Sequence, residues 1–373
     1  MSQELKRTNL YHWHVGHGAR MVPFAGWEMP VQYPTGPIEE HHATRRSAGL
    51  FDIDHMGQIT VTGSDAEAYL NGLVTWDIRL MAPNDAHYAL MCYGNGGVVD
   101  DVFVYKRSAT EWFVVVNAAN LVKDLAWMQE HRAGYAVTVE DVSPETYMLA
   151  LQGPQAMKIL QKLTPAKMAD VSRFTAVEAQ VVGVATLIGR TGYTGEDGVE
   201  LFFPAEYALE IWEAVLDTSR TAGIEVKPVG LAARDSLRFE PGFALYGHEI
   251  SAEITPLEAG LGWAVKFDTA FIGREALQKQ KETGLEKTLI SFELIEKGVP
   301  RQDYPVLSQR GEEIGIVVSG LYAPSIDKYC GNAFVPVEHS AVGTEIQILI
   351  RNKAKVALVV KRPFYVPAYR RAG

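Results

Sequence analysis

The sequence predicts an α+β fold that ends in a β-only region, on three observations. Period-two and helical hydrophobic patterns alternate through the first two-thirds of the chain, helical periodicity fades beyond Leu277 to Lys281, and strand patterns then dominate. At 373 residues, 47% of them hydrophobic and 21% charged, the chain can bury a large core and has the length of two or three domains rather than one.

Taken in order, Gln58 to Thr62 alternates as a strand. Ser64-Asp-Ala-Glu67 then has the capping-box pattern, in which side chains satisfy the first free N–H groups of a helix, here over about Asp65 to Leu73. Trp112 to Val116 is a buried strand, and Asn117-Ala-Ala-Asn120 is the turn into a helix with apolar Leu121, Leu125, Trp127 and Met128, which puts Asn117 at a strand end. Gln152-Gly-Pro154 sets proline in the first turn of a helix running toward Leu163, where its missing N–H costs little. Ala205 to Thr221 is another helix, stopped by Gly223. After about Arg274 the strands are Thr288 to Leu294, Glu313 to Val318 and Glu345 to Val360; Arg351-Asn-Lys353 makes the last a hairpin, and Gly284 to Lys287 is the boundary region.

Composition excludes several classes. Cys92 and Cys330 are too few for a disulfide framework and match no paired thiolate spacing, so a reducing, cytoplasmic setting is expected. The start, MSQELKRTNLYHWH, has neither the apolar core of a secretory signal nor the pattern of an organellar presequence. Apolar runs are strand-sized, far short of the roughly 20 residues that span a bilayer, so no membrane partner is expected. A formal charge of -10 works against nucleic-acid binding, which relies on clustered Lys and Arg.

Three segments can carry chemistry. The strand Val98 to Tyr105, opened by the turn Gly94-Asn-Gly-Gly97, holds Asp100 and Asp101 inside an apolar run; alternation sends them to opposite faces, so at most one readily enters a given pocket. Either one acid is poised near a reacting nitrogen, or both lie at an exposed strand end or cap a turn. In Arg190 to Glu200, three glycines let the backbone bend around a ligand, but the segment is neither a phosphate-cradling P-loop nor a dinucleotide fingerprint. Tyr193 can stack on a planar ring there, and Glu196, Asp197 or Glu200 can accept paired hydrogen bonds from an amino-pyrimidine edge; a hairpin with solvated acids is the alternative. Gly230 to Glu240 sets Arg234, Leu237 and Arg238 at helical spacings, either as an ion-pair network or with Arg234 turned to an acidic group or a ligand. Trp263 and Arg301 read as core tryptophan and surface arginine. His12, His14 and His17, and the run Glu39-Glu-His-His42, lack the spacing of a recognised zinc site, so hydrogen-bonded histidines and no metal are expected.

These segments together resemble the T-protein (aminomethyltransferase) family of the glycine cleavage system. The likeness runs through Gly18 to Tyr33, Leu50 to Gly57, Gly96 to Asp101, Val115 to Asn120, Leu151 to Pro154, Thr191 to Gly198, Gly230 to Asp235 and Leu245 to Gly247. It implies a three-domain cloverleaf with folate in a central channel and a C-terminal β-barrel or jelly-roll-like domain. The implied division is a folate-binding region over 1–274, built of two interleaved α+β domains (about 1–50 with 140–250, and 51–139 with 251–274), followed by a β domain over 275–373. The implied reaction moves an aminomethyl group from the lipoyl arm of the H-protein to tetrahydrofolate, releasing ammonia and 5,10-methylenetetrahydrofolate. Asp101 matches the catalytic carboxylate; Tyr88, Asn117, Tyr193, Glu200, Arg234 and Trp263 match folate contacts, with Arg301 and Tyr322 as positioning candidates. Asp54, where many members have serine, and Ser319 to Ser325 depart from the family pattern, as does Cys330, and they leave the folate-side motifs in place. The competing readings are a folate-dependent demethylase on the same fold and a non-catalytic folate-binding iron–sulfur assembly factor. The latter group's Lys-Gly-Cys-Tyr-x-Gly-Gln-Glu signature is replaced here by Arg-Thr-Gly-Tyr-Thr-Gly-Glu-Asp.

Overall fold

A computed structural model describes residues 4–371, with side chains to 370. After a small three-stranded sheet (order Lys6–Arg7, Trp27–Gln32, Arg20–Phe24), the strand Ala48–Asp52 enters a six-stranded sheet. The order of that sheet is Ala176–Val181, Val184–Gly189, Gly198–Pro204, Thr146–Gln152, Ala48–Asp52, Val226–Pro228. Between Asp52 and Thr146 the chain builds a second sheet, five-stranded and antiparallel, in the order Ala86–Cys92, Val98–Lys106, Glu111–Val116, Gly57–Thr62, Thr138–Asp141.

Alternation along Val98–Lys106 explains how the two sheets meet. Val102 and Val104 point into a core shared with the helices Ala66–Leu73 and Leu121–Glu130, through Tyr69, Leu70 and Met128. Phe103 and Tyr105 point the other way, to the six-stranded sheet, where Tyr105, Phe113 and Phe202 pack edge to face with ring centroids 5.0–6.0 Å apart. The far side of the six-stranded sheet is covered by the helix Ala208–Ala222, whose Trp212 is fully buried among Leu50, Leu149 and Leu201. Gly223 ends that helix with φ 65°, the left-handed stop expected.

Two local expectations change. The Ser64–Glu67 capping box does not form: Glu67 reaches across to Lys106 Nζ at 2.7 Å, and Asp65 accepts the Ala136 N–H at 2.8 Å. The helix after Pro154 is only Ala156–Leu160, because Gly153 stands at φ 131° where a Cβ would meet the Ser47 carbonyl oxygen at 2.4 Å, a close crossing that fixes the chain before the helix starts.

The C-terminal region is a closed barrel ordered Lys287–Leu294, Lys328–Pro336, Glu313–Ala323, Pro305–Leu307, Glu345–Ile350, Lys353–Val360 around Phe292, Val317 and Ile348. Arg351 and Asn352, at φ 48° and 63°, make the two-residue hairpin loop read from the sequence. Buried polar groups seat the barrel on the helix Leu231–Phe239. Glu240 accepts from Ser325 N and Oγ (2.8 and 2.6 Å), and Arg238 donates to Ser319 (3.2 Å) and Glu249 (2.9 Å). Among the described residues no helix is long and apolar enough to cross a membrane.

Candidate functional site

Where the two sheets diverge beyond the aromatic seam, they leave a cavity of about 610 Å³, floored by the loop 190–196 and the helix Leu231–Phe239 and edged by residues 241–248, Trp263 and Tyr369. Its size suits a single elongated small molecule, pockets for which run to roughly 300–1,000 Å³. Asp101, Tyr88, Asn117, Tyr193, Glu200, Arg234 and Trp263 all stand on its wall. Arg301 and Tyr322 do not: Arg301 is exposed, and Tyr322 donates to Asp327 at 2.6 Å within its own hairpin.

The wall follows from register. Tyr88 pairs with Phe103, so Tyr88, Phe103 and Asp101 share the face turned to the six-stranded sheet, while Asp100 faces the other core and is fully buried. The pair of acids is therefore interior, not an exposed strand end, and only Asp101 reaches the cavity. Burial, and then the charge of Asp100, push Asp101 up to about 7, against the hydrogen bond from Asn117 and the nearby Tyr88 phenol, which pull it down. Asn117 Nδ2 donates to Asp101 Oδ1 at 2.7 Å. Burial first, then the charge of Asp101, holds the Tyr88 phenol well above its ordinary range. Trp263, 55% exposed, stacks on the Tyr88 ring at 5.5 Å and forms the rim.

In the glycine-rich loop three acids compete, and their partners separate them. Asp197 is taken by Arg190 (3.1 and 2.7 Å) and Glu196 by Arg45 (3.0 Å). Glu200, 9% exposed, meets only hydroxyls, from Thr191 at 2.5 Å and Tyr105 at 3.3 Å, and keeps acceptor capacity toward the cavity. Burial raises its proton affinity, offset by Thr191 and Arg234. The Tyr193 hydroxyl donates to the Ala244 carbonyl, which fixes its ring beside Phe243, and the Arg234 guanidinium lies 4.9 Å over that ring. Among the described residues Arg234 has no carboxylate within ion-pair distance and no hydrogen-bond acceptor, so its fork of N–H groups is open to the cavity.

Other wall residues were not among the expected site residues, although His55 lies within the Leu50 to Gly57 segment. His55 is buried with Nδ1 unpartnered, and burial and then Arg234 drive it down to about 3, so it is a neutral imidazole. Phe174 and Arg173 come from a turn. Of the histidines weighed as metal ligands, three are held by hydrogen bonds: His14 to Asp52 (2.8 Å) and Tyr33 (2.8 Å), His17 to the Trp13 carbonyl (2.8 Å) and His41 to Ser236 (2.8 Å). No cluster of three or more His, Cys, Asp or Glu among the described residues is placed to hold a metal ion.

Comparison with known proteins decides what this wall belongs to. Residues 10–269 match the family model described as the GCVT N-terminal domain, and residues 287–365 match the glycine cleavage T-protein C-terminal barrel domain. The chain belongs to the glycine cleavage T-protein family. An aminomethyltransferase of Desulforamulus reducens is 48% identical over 97% of this chain and 99% of its own length. One of Herpetosiphon aurantiacus is 48% identical over 98% of this chain and 100% of its own. The crystal structure of glycine cleavage system aminomethyltransferase T from Bartonella henselae superposes with a TM-score of 0.91 at 33% identity, covering 97% of this chain and 99% of that one. Family membership over nearly the whole chain makes it an enzyme, an aminomethyltransferase of glycine cleavage, on the T-protein fold that the sequence led us to expect.

Proposed function

We propose that the cavity binds tetrahydrofolate and that Asp101 is the catalytic carboxylate that serves transfer of an aminomethyl carbon from the lipoyl arm of an H-protein. The observation that carries this is the pairing, on one wall, of an open acceptor, Glu200, with an open donor fork, Arg234, beside the fixed ring of Tyr193. A pterin offers an amino-pyrimidine edge of donors and a ring carbonyl, which is the complementary pattern. Glu200 takes the donor edge, Tyr193 packs on the ring plane, and Arg234 serves an acceptor on the bound molecule. Tyr88 and Trp263 line the way in, and Arg301 and Tyr322 keep a positioning role only if the lipoyl arm reaches past the rim.

Asp101 also lines the cavity, and in this reading it is the carboxylate that the reaction uses. Its negative charge orients an amine N–H and stabilises positive charge that develops as nitrogen attacks the methylene carbon, with no bond formed to the protein. Asn117 holds that carboxylate in place, so charge and reacting atoms meet without reorganisation. The two interleaved regions, about 1–50 with 140–250 and 51–139 with 251–274, are proposed as the domains whose meeting forms the cavity, with 275–373 as the third. Two free, buried thiols, Cys92 and Cys330, fit a cytoplasmic setting.

The test measures methylenetetrahydrofolate and ammonia formed from tetrahydrofolate and aminomethylated H-protein, with the native chain and Asp101→Asn. A fall of roughly 100-fold or more in turnover in the variant, of the order lost when one charge-stabilising group is removed, supports the reading. Equal turnover would remove Asp101 from the chemistry.

A further inference from the structure

Behind the cavity wall sit two carboxyls that touch nothing inside it. Asp100 is fully buried and takes three donors: the Asn117 backbone N–H at 2.9 Å, Asn117 Nδ2 at 2.9 Å and Asn120 Nδ2 at 2.6 Å. The same Asn117 amide nitrogen donates to Asp101 Oδ1 at 2.7 Å, so one side chain ties together two carboxyls that strand alternation sends to opposite faces. From the helix Leu121–Glu130, Asp124 is also fully buried, and no N–H or hydroxyl among the described residues reaches either of its oxygens. Asn120, Asp124 and Met128 follow one another at four-residue steps along the buried stripe of this turn and helix.

Two buried carboxyls, one supplied with three donors and the other with none, divide one proton and one charge unequally. Asp124 keeps the proton: burial, then the charge of Asp100 and a hydrogen bond to it, push it up to about 10. Three donors converge on Asp100 and none among the described residues reaches Asp124, so the surroundings favour negative charge on the Asp100 side. Lys123, close by, is committed elsewhere: it donates to the Val99 carbonyl at 2.5 Å and lies 4.0 Å over the Tyr246 ring.

We propose that Asp100 is a positioning residue for Asp101: held by Asn117 and Asn120, it fixes the Asn117 amide that aims Asp101 and places negative charge behind it. This rests on Asp101 being the catalytic carboxylate. The groups facing Asp101 are Asp100 on its own strand, Tyr88 on the paired strand, Tyr193 from the glycine-rich loop and Asp124 from the helix. The two phenols and Asp124 keep their protons, so the charge that bears on Asp101 from these groups is that of Asp100. Asp101 therefore loses its proton near neutrality rather than in the acid range, and the transferase gains its anionic carboxylate as pH rises through that region.

The experiment is the pH dependence of kcat/KM for methylenetetrahydrofolate formation, with aminomethylated H-protein and tetrahydrofolate, in the native enzyme, Asp100→Asn and Asp101→Asn. The native profile has an acid limb near neutrality. In Asp100→Asn that limb moves toward acid by about one pH unit, the effect of removing a close like charge, and a merely structural loss would lower the whole curve without moving it. If Asp100→Asn does not fold, Asn120→Ala, which removes the 2.6 Å donor and weakens the hold on the anion, moves the limb in the same direction. An unmoved limb in a folded variant, with Asp101→Asn having abolished the limb, overturns the role of Asp100 alone. A limb that survives in Asp101→Asn overturns the reading of Asp101 on which it rests.

Discussion

Replacing Arg234 with methionine should have opposite effects on ligand binding and on stability. The guanidinium faces the cavity with no carboxylate or carbonyl of the described residues to receive its N–H groups, and burial lowers its hold on its proton, with Tyr193 and Glu200 only partly restoring it. A charged donor to a bound ligand contributes about 1.5–3 kcal/mol net, and a factor of ten in affinity corresponds to about 1.4 kcal/mol. Arg234→Met should therefore weaken tetrahydrofolate binding by about 10- to 100-fold. The ligand-free protein loses an uncompensated, desolvated charge and keeps a side chain of similar length, so its Tm should hold or rise. Arg238→Met is the control, because Arg238 is paired with Glu249 at 2.9 Å and Asp235 at 2.8 Å, and its loss should lower Tm. Calorimetric titration with tetrahydrofolate and thermal unfolding with and without it give both quantities. Affinity within twofold of native, or a ligand-free Tm that falls as far as in Arg238→Met, would refute the view of Arg234 as a cation waiting for its ligand.

Two further outcomes follow from buried groups away from the chemistry. Glu249→Gln leaves Arg238 short of its buried partner and should cost about 3 kcal/mol in urea unfolding; a loss under 1 kcal/mol would mean that Asp235 and Ser319 suffice. Burial pushes the thiols of Cys92 and Cys330 up to about 12, so at pH 8 both should react with iodoacetamide far more slowly in the folded protein than in denaturant, with a fast-reacting thiol in the native state counting against this.

Much of this site is legible in the sequence because its supports are local. Asp101, Tyr193, Glu200 and Arg234 lie in segments whose turn and helix signals are strong, and their alternation or helical spacing survives folding. The loop's own residues leave the choice among Glu196, Asp197 and Glu200 open, and only the family resemblance singles out Glu200, since the choice depends on Arg45 and Arg190 arriving from outside the loop or from its far edge to claim the other two. Asp124 is hidden for a related reason. An acid in a helix reads as solvent-facing, although its place on the stripe of Asn120 and Met128 was a signal that it points inward. The Ser64 capping box fails because propensity weighs a motif by itself, while Lys106, from a strand distant in sequence, offers Glu67 a charged partner. Phe174 reaches the wall from a turn outside the matching segments, and His55, though inside the Leu50 to Gly57 segment, shows its place on the wall only once the two sheets meet.

The strand Ala48–Asp52 pairs on one side with Thr146–Gln152 and on the other with Val226–Pro228. During synthesis it leaves the ribosome without either neighbour, and its first partner follows roughly a hundred residues later, which at about 5–20 residues per second is roughly 5–20 s. In that interval the intervening five-stranded sheet can complete itself, having every one of its strands between Gly57 and Asp141. The expected order of assembly is inserted sheet first and enclosing sheet second, with the cavity wall taking shape only when the later-made sheet closes over the earlier one. A released fragment of residues 1–145 should carry a protease-resistant core over 57–141 and leave residues 48–52 open to cleavage, and equal cleavage of both segments would refute this order.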